Sequence, residues 1–341
     1  MVDRPTISDL AKKAGVSVAT VDRVLNRRLP VRTDTAQRVV QAAEAIGFHA
    51  TGLLKRRLTE TPYRRFGFLL QKPDAFYQLL GKELVAATKA ATEINGKPTL
   101  EFIEELEPGL IAERIRQAAP RLDALAVVAL DYPQVNAAIE AAQANGTAVF
   151  SLLSLLTSPN CTGHLGVDGR RCGRMAGWTI SRMAKQTGKI GILVGSHRYL
   201  NQELAEISFR TYMREHAPDF QLLEPIVNLD DEHIAYEAVT TMLQENPDLV
   251  GIYVSGGGQE GLIRALREHK GTPRPIAVCN ELTAATRAAM QDGVIDLALG
   301  TPVATISRRL VELMIKATNA AEMPHLPPIY LPPDILMSEN I

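Results

Sequence analysis

The stretch Thr6-Ile-Ser-Asp-Leu-Ala-Lys-Lys-Ala-Gly-Val-Ser-Val-Ala-Thr-Val-Asp-Arg-Val-Leu-Asn26 reads as two short amphipathic helices joined at Gly15. Thr6 and Asp9 have the Ser/Thr-x-x-acid spacing of a capping box, and Leu10, Ala11 and Ala14 recur at helical intervals, so one helix opens at Thr6. Gly15 supplies the positive φ that a sharp turn between helices requires. Ser17 is then a good N-cap for a second helix that turns Val21, Val24 and Leu25 inward. The opposite face of this helix offers Val18, Ala19, Thr20, Arg23 and Asn26 near the end that a recognition helix pushes into the major groove. The pattern predicts an all-α helix-turn-helix head that binds DNA.

The charge balance agrees with a basic head on an acidic body. The chain of 341 residues has a formal net charge of −1, but residues 1–65 carry +7 and the remainder −8. A head of that sign should lose DNA affinity as salt rises. With 46% hydrophobic residues the chain is long enough for two or three packed units. Its three cysteines, Cys161, Cys172 and Cys279, show no C-x-x-C pair and read as buried or free thiols in a reducing compartment. The polar N-terminus has no apolar core of a signal peptide, and no run of about 18 apolar residues follows, so the expectation is a soluble cytoplasmic protein without membrane contact. No metal or cofactor is expected.

From Phe66 onward, short apolar runs alternate with helical stretches. Strands are predicted at Phe66–Gln71, Leu100–Ile103, Ala124–Leu130, Ala148–Leu152, Lys189–Gly195, Leu249–Ser255, Pro275–Asn280 and Asp296–Leu299. Continuous Val/Ile/Leu runs separated by helices indicate parallel strands covered on both faces, hence doubly wound α/β sheets. There are too many such units for one comfortable sheet. A break near Lys185-Gln-Thr-Gly-Lys189 divides them into two similar halves.

The string Ala11-x-x-Ala-Gly-Val-Ser-x-x-Thr-Val-x-Arg-Val-Leu-Asn26, followed by Val31, Thr35 and the helix through Gly47-Phe48, closely resembles the start of the lactose-repressor/galactose-repressor family of bacterial transcription regulators. One departure is Asp22, where the family usually has Ser; its carboxylate is expected to turn toward Arg23 or Arg27 or to rearrange nearby phosphate contacts. The body resembles, more loosely, the type I periplasmic sugar-binding fold that the same family carries, closest to its ribose-binding branch. The resemblance implies a head at 1–48, a hinge at 49–64 and an effector-binding domain at 65–341. Its N-subdomain would span about 65–186 and 302–325, and its C-subdomain about 188–300 and 326–341.

What the resemblance implies for sites follows residue by residue. The DNA-binding set is Thr6, Ser17, Val18, Ala19, Thr20, Arg23 and Asn26, with hinge residues Leu53, Leu54 and Arg57. In the family a leucine of the hinge wedges into a central minor-groove step on the operator. Here Ala50-Thr51 replaces the usual Pro-Asn and Gly52 lowers helix propensity, which leaves open whether Leu53 or Leu54 is the wedge. For the effector, Phe76 and Tyr77 match paired aromatics that stack on a sugar ring, Asp131 a polar contact at a strand end, and Asn280 and Glu281 the place of a ligand-binding Asp. Carboxylates suit hydroxyl donors because an ionised carboxyl only accepts. Arg198 is the candidate to replace the family's arginine, with Glu203 nearby, and Gly258 belongs to a loop whose amides approach a polyhydroxy ligand. A carboxylate-rich cleft without its usual arginine brings a polyol or an amine-bearing sugar into view beside an ordinary hexose.

Two rivals stand beside the sugar- or polyol-responsive repressor, homodimeric on a near-palindromic operator. Gly256-Gly-Gly-Gln-Glu-Gly261 fits G-x-G-x-x-G with Glu281 about 20 residues later, the outline of a nicotinamide-binding enzyme. A sugar-binding transport receptor would share the body but needs an export signal and no basic head. No catalytic set competes: Gly195-Ser-His197 is a single adjacent pair, and the 7 histidines lack metal-ligand spacing.

Overall fold

The computed structural model describes residues 5–26, 31, 33–52, 54, 62–71, 74–271 and 273–341. The chain divides into two compact units, Met1–Pro62 and Tyr63–Ile341.

In the first unit, α1 (Ile7–Ala14), α2 (Val18–Asn26) and α3 (Thr33–Ala45) enclose a small core. The capping box at Thr6 is formed: the Asp9 amide donates to Thr6 Oγ1 at 3.3 Å, and the Thr6 amide donates to Asp9 Oδ2 at 2.9 Å. Gly15 closes α1 with φ +65°. Leu10, Val21, Leu25, Val39 and Phe48 fill the core, joined by Leu54, which is fully buried.

The second unit begins with β1 (Tyr63–Gln71), α4 (Ala75–Ala90), β2 (Asn95–Ile103), α5 (Pro108–Ala118), β3 (Ala124–Val127), α6 (Pro133–Ala144), β4 (Ala148–Leu152) and β5 (Gly163–Val167). It continues through α7 (Gly169–Met183), β6 (Lys189–Val194), α8 (Leu200–His216), β7 (Gln221–Leu222), β8 (Ile226–Val227), α9 (Glu232–Glu245), β9 (Leu249–Val254), α10 (Gln259–Glu268), β10 (Ile276–Asn280), α11 (Ala284–Gln291) and β11 (Leu297–Gly300). It ends with α12 (Val303–Asn319), β12 (Ile329–Leu331) and β13 (Asp334–Leu336).

These strands make two sheets. One runs β12-β5-β4-β3-β1-β2 and is parallel throughout. The other runs β13-β11-β10-β9-β6-β7, with β8 also paired to β6; only β13 is antiparallel. Each sheet is covered on both faces, which is why its inner strands, such as β3, β4 and β9, are buried along their length without alternation, whereas the edge strand β2 alternates. Phe66, Phe68 and Leu70 point to the side packed by α4 and α12, while Leu69 points to the side packed by α5 and α6. In the second sheet Ile252 and Val254 face α9 and α10, and Tyr253 faces α7 and α8. At Gly173 the backbone of α7 lies so close to α8 that a methyl group would collide with the Ala205 carbonyl.

The crossovers between the two sheets correct two expected boundaries. The N-subdomain expected to run to about 186 stops sooner: α7 packs with α8 and the second sheet, so the first crossover lies between Val167 and Gly169. The last crossover, expected near 325, comes later: β12 pairs with β5 in the first sheet, so the chain crosses between Leu331 and Asp334. Both misplacements have one cause. A helix or short strand carries no sequence mark of which sheet it covers. The middle crossover lies between Gly300 and Val303, where β11 gives way to α12.

Candidate functional site

All but one of the strands that approach the gap between the sheets do so with their carboxyl ends. There a cavity of about 400 Å³ is lined by residues that follow β1, β3, β4, β6, β8, β9 and β10 and by the ends of β5 and β11. Parallel sheets bind ligands in this position because side chains beyond the strand ends are free of the ladder.

The loops that build the wall are tied to one another. Asp74 caps α4 by accepting from the Tyr77 amide at 2.8 Å, which sets Phe76 and Tyr77 in the first turn at the cavity wall. Their rings meet edge to face with centroids 5.2 Å apart. On the other side, Leu229 and Asp230 both have φ +55°, a strained conformation for non-glycine residues. Asp230 Oδ1 accepts from the Gly257 amide at 2.6 Å and from Gln202 Nε2 at 3.5 Å. Gln202 Oε1 in turn accepts from the Gly195 and Ser196 amides. Burial raises the Asp230 carboxyl above the usual carboxylate range, against the pull of those bonds.

This geometry removes the dinucleotide reading. A diphosphate would need the glycine-loop amides, yet Asp230 occupies the amide of Gly257 and brings a carboxylate to the start of α10. Gly258 does line the cavity, and its φ of +91° with Asn228 and Ala235 pressed against it leaves no room for a side chain. Asn280 lines the cavity as well, with Nδ2 donating to the Ser255 carbonyl at 2.6 Å. Glu281 has φ +65° and its carboxylate turns to the middle crossover, accepting from the Thr301 amide at 2.8 Å and from the Thr301 hydroxyl at 2.6 Å. Burial pushes the Glu281 carboxyl up to about 7, and Asp74 and Asp334 add to the rise while Thr301 opposes it.

Three expected effector residues are elsewhere. Asp131 does not line the cavity: its carboxylate accepts from the Thr157 amide at 3.0 Å and from Asn136 Nδ2 at 3.0 Å, and its amide donates to the Arg198 carbonyl at 3.0 Å. Arg198 lies 4.8 Å over the Tyr132 ring, so it joins the subdomains outside the cavity rather than reaching into it. Glu203 sits in the first turn of α8, away from the cavity wall. A strand end has two sides, and only one faces the cleft.

The residues that sequence reading missed are mostly polar: Asp74, Ser154, Asn201, Gln202, Asp230 and Glu260 all line the cavity. Asp74 could have been found as an N-cap directly after a strand. Asp230 follows the two-residue β8, too short to leave a pattern. A second bridge across the cleft runs from the Asn201 amide to Ser154 Oγ at 3.4 Å.

In the head, α2 turns Val18, Ala19, Arg23 and Asn26 outward, and Val18 is 51% exposed. Ser17 Oγ accepts from the Thr20 amide at 3.2 Å, so Ser17 caps α2, and Thr20 spends its hydroxyl on Ser17 at 2.9 Å. Asp22 accepts from Asn26 Nδ2 at 2.6 Å; Arg27 lies outside the described residues. Leu53 and Arg57 also lie outside them. Leu54 is a core residue of the head, so in this conformation it is withdrawn from any groove. The three cysteines are buried free thiols. Among the described residues no cluster of potential metal ligands occurs, and no helix is long and apolar enough to cross a membrane.

Residues 66–322 match the model of the periplasmic binding protein domain, and residues 6–50 match that of bacterial regulatory proteins, lacI family. The HTH-type transcriptional regulator GalS of Salmonella typhimurium is 39% identical over 83 residues, 24% of this chain and 24% of the relative, so the match spans about a quarter of that protein. Among solved structures, a solute binding protein of an ABC transporter from Burkholderia graminis, in complex with D-arabinose, aligns with TM-score 0.75 at 15% identity, over 83% of this chain and 98% of that one. A putative LacI transcriptional regulator from Bacteroides fragilis aligns with TM-score 0.71 at 15% identity, over 82% and 98% of the two chains. At these identities the structures establish the shared fold.

Proposed function

Because the chain belongs to the family of the periplasmic binding protein domain and carries a lacI-type head before it, we propose that it is a DNA-binding transcriptional regulator, most simply a repressor, controlled by a small polar effector of the sugar or polyol class. One observation carries this reading. A single chain combines a helix-turn-helix whose second helix turns Val18, Ala19 and Arg23 outward with a cavity of about 400 Å³ at the carboxyl ends of two parallel sheets. A transport receptor has use for the cavity alone, and the head weighs against it.

The effector acts by differential affinity. A ligand held between Tyr77 on one subdomain and Asp230 on the other favours the closed arrangement of the three crossovers. DNA binding changes only to the extent that closed and open forms differ in affinity for the operator. In this reading two copies of the chain present two heads to a near-palindromic operator in the cytoplasm. The segment 49–64 serves as the hinge, with Leu53 as the wedge, or Leu54 once it has left its core.

The test is selection of bound DNA from a random pool with the full chain, followed by gel shift on the enriched sequence with and without sugars and polyols. The expected result is an enriched near-palindrome whose binding changes with at least one effector. Binding that stays indifferent to sequence overturns the reading.

A further inference from the structure

The cavity wall carries five carboxylates, Asp74, Asp230, Glu232, Glu260 and Glu281, and no Lys, Arg or His among its described residues. They belong to four different loops and helix starts on both sides of the cleft, so no local capping need explains them all. Asp74 is engaged as the cap of α4 and Glu281 with Thr301. Both bonds to Asp230 fall on Oδ1, so its Oδ2 retains its accepting capacity. Glu260, in the first turn of α10, is half-buried and makes no hydrogen bond or ion pair to another described side chain. Carboxylates gathered in a closed, low-dielectric space repel one another and any anion, and a cation among them relieves that repulsion.

The remaining wall is independent of those charges and fits the same ligand. Phe76, Tyr77 and Tyr199 also line the cavity, and aromatic faces attract a cation as well as the C–H face of a sugar ring. Hydroxyl, amide and backbone groups of Ser154, Asn201, Gln202 and Thr283 stand among them for hydroxyl partners. Burial holds the Asp230, Glu260 and Glu281 carboxyls above their usual range, as expected of a site short of positive charge.

We propose that the effector of this cleft is a polyhydroxy amine, a small molecule that offers hydroxyls together with one protonated amino group and carries no phosphate or carboxylate. This rests on the reading of the cavity as the effector site and names the chemical class it takes. Asp230 and Glu260 receive the ammonium, and the aromatic wall packs against the carbon skeleton. A phosphorylated sugar is disfavoured, since the described residues of the wall offer five carboxylates and no Lys, Arg or His to offset its charge.

The experiment is calorimetry and thermal shift of the full chain at pH 7.5 with matched sets: the amino form, the neutral parent and the phosphorylated form of several common hexoses and hexitols, such as glucosamine, glucose and glucose 6-phosphate, or 1-amino-1-deoxysorbitol and sorbitol. In at least one set the amine should bind ten-fold or more tightly than its parent, with no heat from the phosphate. Glu260→Gln and Asp230→Asn, each with unchanged melting temperature in the absence of ligand, should bring amine and parent toward equal affinity. If either variant melts lower, the ratio of amine to parent affinity in the other still decides. Equal or better binding of a neutral parent, or binding of a phosphate, overturns the amine while leaving the cavity as the effector site. Silence from every set overturns the effector reading of the cavity and this inference with it.

Discussion

The Glu281 carboxylate is held to Thr301 by two hydrogen bonds, one from the amide at 2.8 Å and one from the hydroxyl at 2.6 Å. Glu281 directly follows β10 of the second sheet, and Thr301 begins the middle crossover toward α12, which packs on the first sheet. The pair therefore fastens a hinge strand beside the cavity, and a change in the charge of Glu281 acts on the hinge and on the ligand site together.

Protonation of Glu281 should be visible in stability. Its folded-state pKa of about 7 lies above the ordinary 4.5, so the folded protein binds a proton more readily than the unfolded chain. The contribution is complete below about 4.5 and is lost as pH rises through about 7. Glu281→Gln is neutral at every pH; its Oε1 still accepts from the Thr301 amide, and its Nε2 donates to the Thr301 hydroxyl in place of the bond that the carboxylate accepts. Relative to this variant the wild type should lose on the order of 1–3 kcal/mol between pH 5 and pH 8. Thermal unfolding of both proteins across that range checks it; a constant difference would mean that Glu281 is ionised throughout.

Asp131 and Arg198 should behave as a latch. The Asp131 amide donates to the Arg198 carbonyl at 3.0 Å, and the guanidinium lies over Tyr132 at 4.8 Å, both across the cleft. Arg198→Ala removes an exposed cation–π contact worth about 0.5–1 kcal/mol and should weaken effector affinity by roughly 2- to 5-fold through the closing equilibrium. Asp230→Ala, within the wall, should cost about 1–3 kcal/mol of effector binding. Calorimetry on the two variants separates them, and equal losses would place Arg198 in the site after all.

Arg23 is exposed on α2, on the side opposite Val21, Val24 and Leu25. Arg23→Ala should weaken operator binding by about 1–3 kcal/mol, if it makes a bidentate base contact, while effector affinity is untouched. Changes at Val18 and Ala19 should instead alter the preferred operator sequence, since small apolar groups meet thymine methyls without hydrogen bonds. Gel shifts with the enriched operator read both effects; undiminished binding of Arg23→Ala would remove it from the interface.

Leu54 is fully buried in the head. Leu54→Ala should destabilise the head by about 2–5 kcal/mol, the range for a leucine removed from a packed core. Proteolysis of the free protein, followed over time, should show faster loss of the head while residues 63–341 persist. If the head survives unchanged, Leu54 is free to leave the core, and its role as wedge on DNA gains weight over Leu53.

The helix-turn-helix was legible from residues 6–26 because every instruction for it is local. Thr6 and Asp9 close a capping box within one turn, Gly15 takes its positive φ without help, and Val21, Val24 and Leu25 mark one face of a short helix. The class of the body was legible for a related reason: a strand buried on both faces has to be apolar along its length, and Phe66–Gln71 or Ala148–Leu152 can be seen as such. Strand β5 escaped because Gly163, His164 and Gly166 interrupt the run, although Ser151 offers His164 a hydrogen bond at 2.9 Å that lets the imidazole be buried.

What only the tertiary structure decided is which side chains meet. Asp131 and Glu281 both lie in the loops that follow parallel strands, yet one turns outward to Thr157 and the other inward to Thr301. Asp74, Asp230 and Glu260 are separated by up to 186 positions in the chain and share one cavity. A carboxylate's sequence neighbours fix its local turn or cap. Its electrostatic neighbours are set by the twist of two sheets and three crossings between them, which no local pattern records.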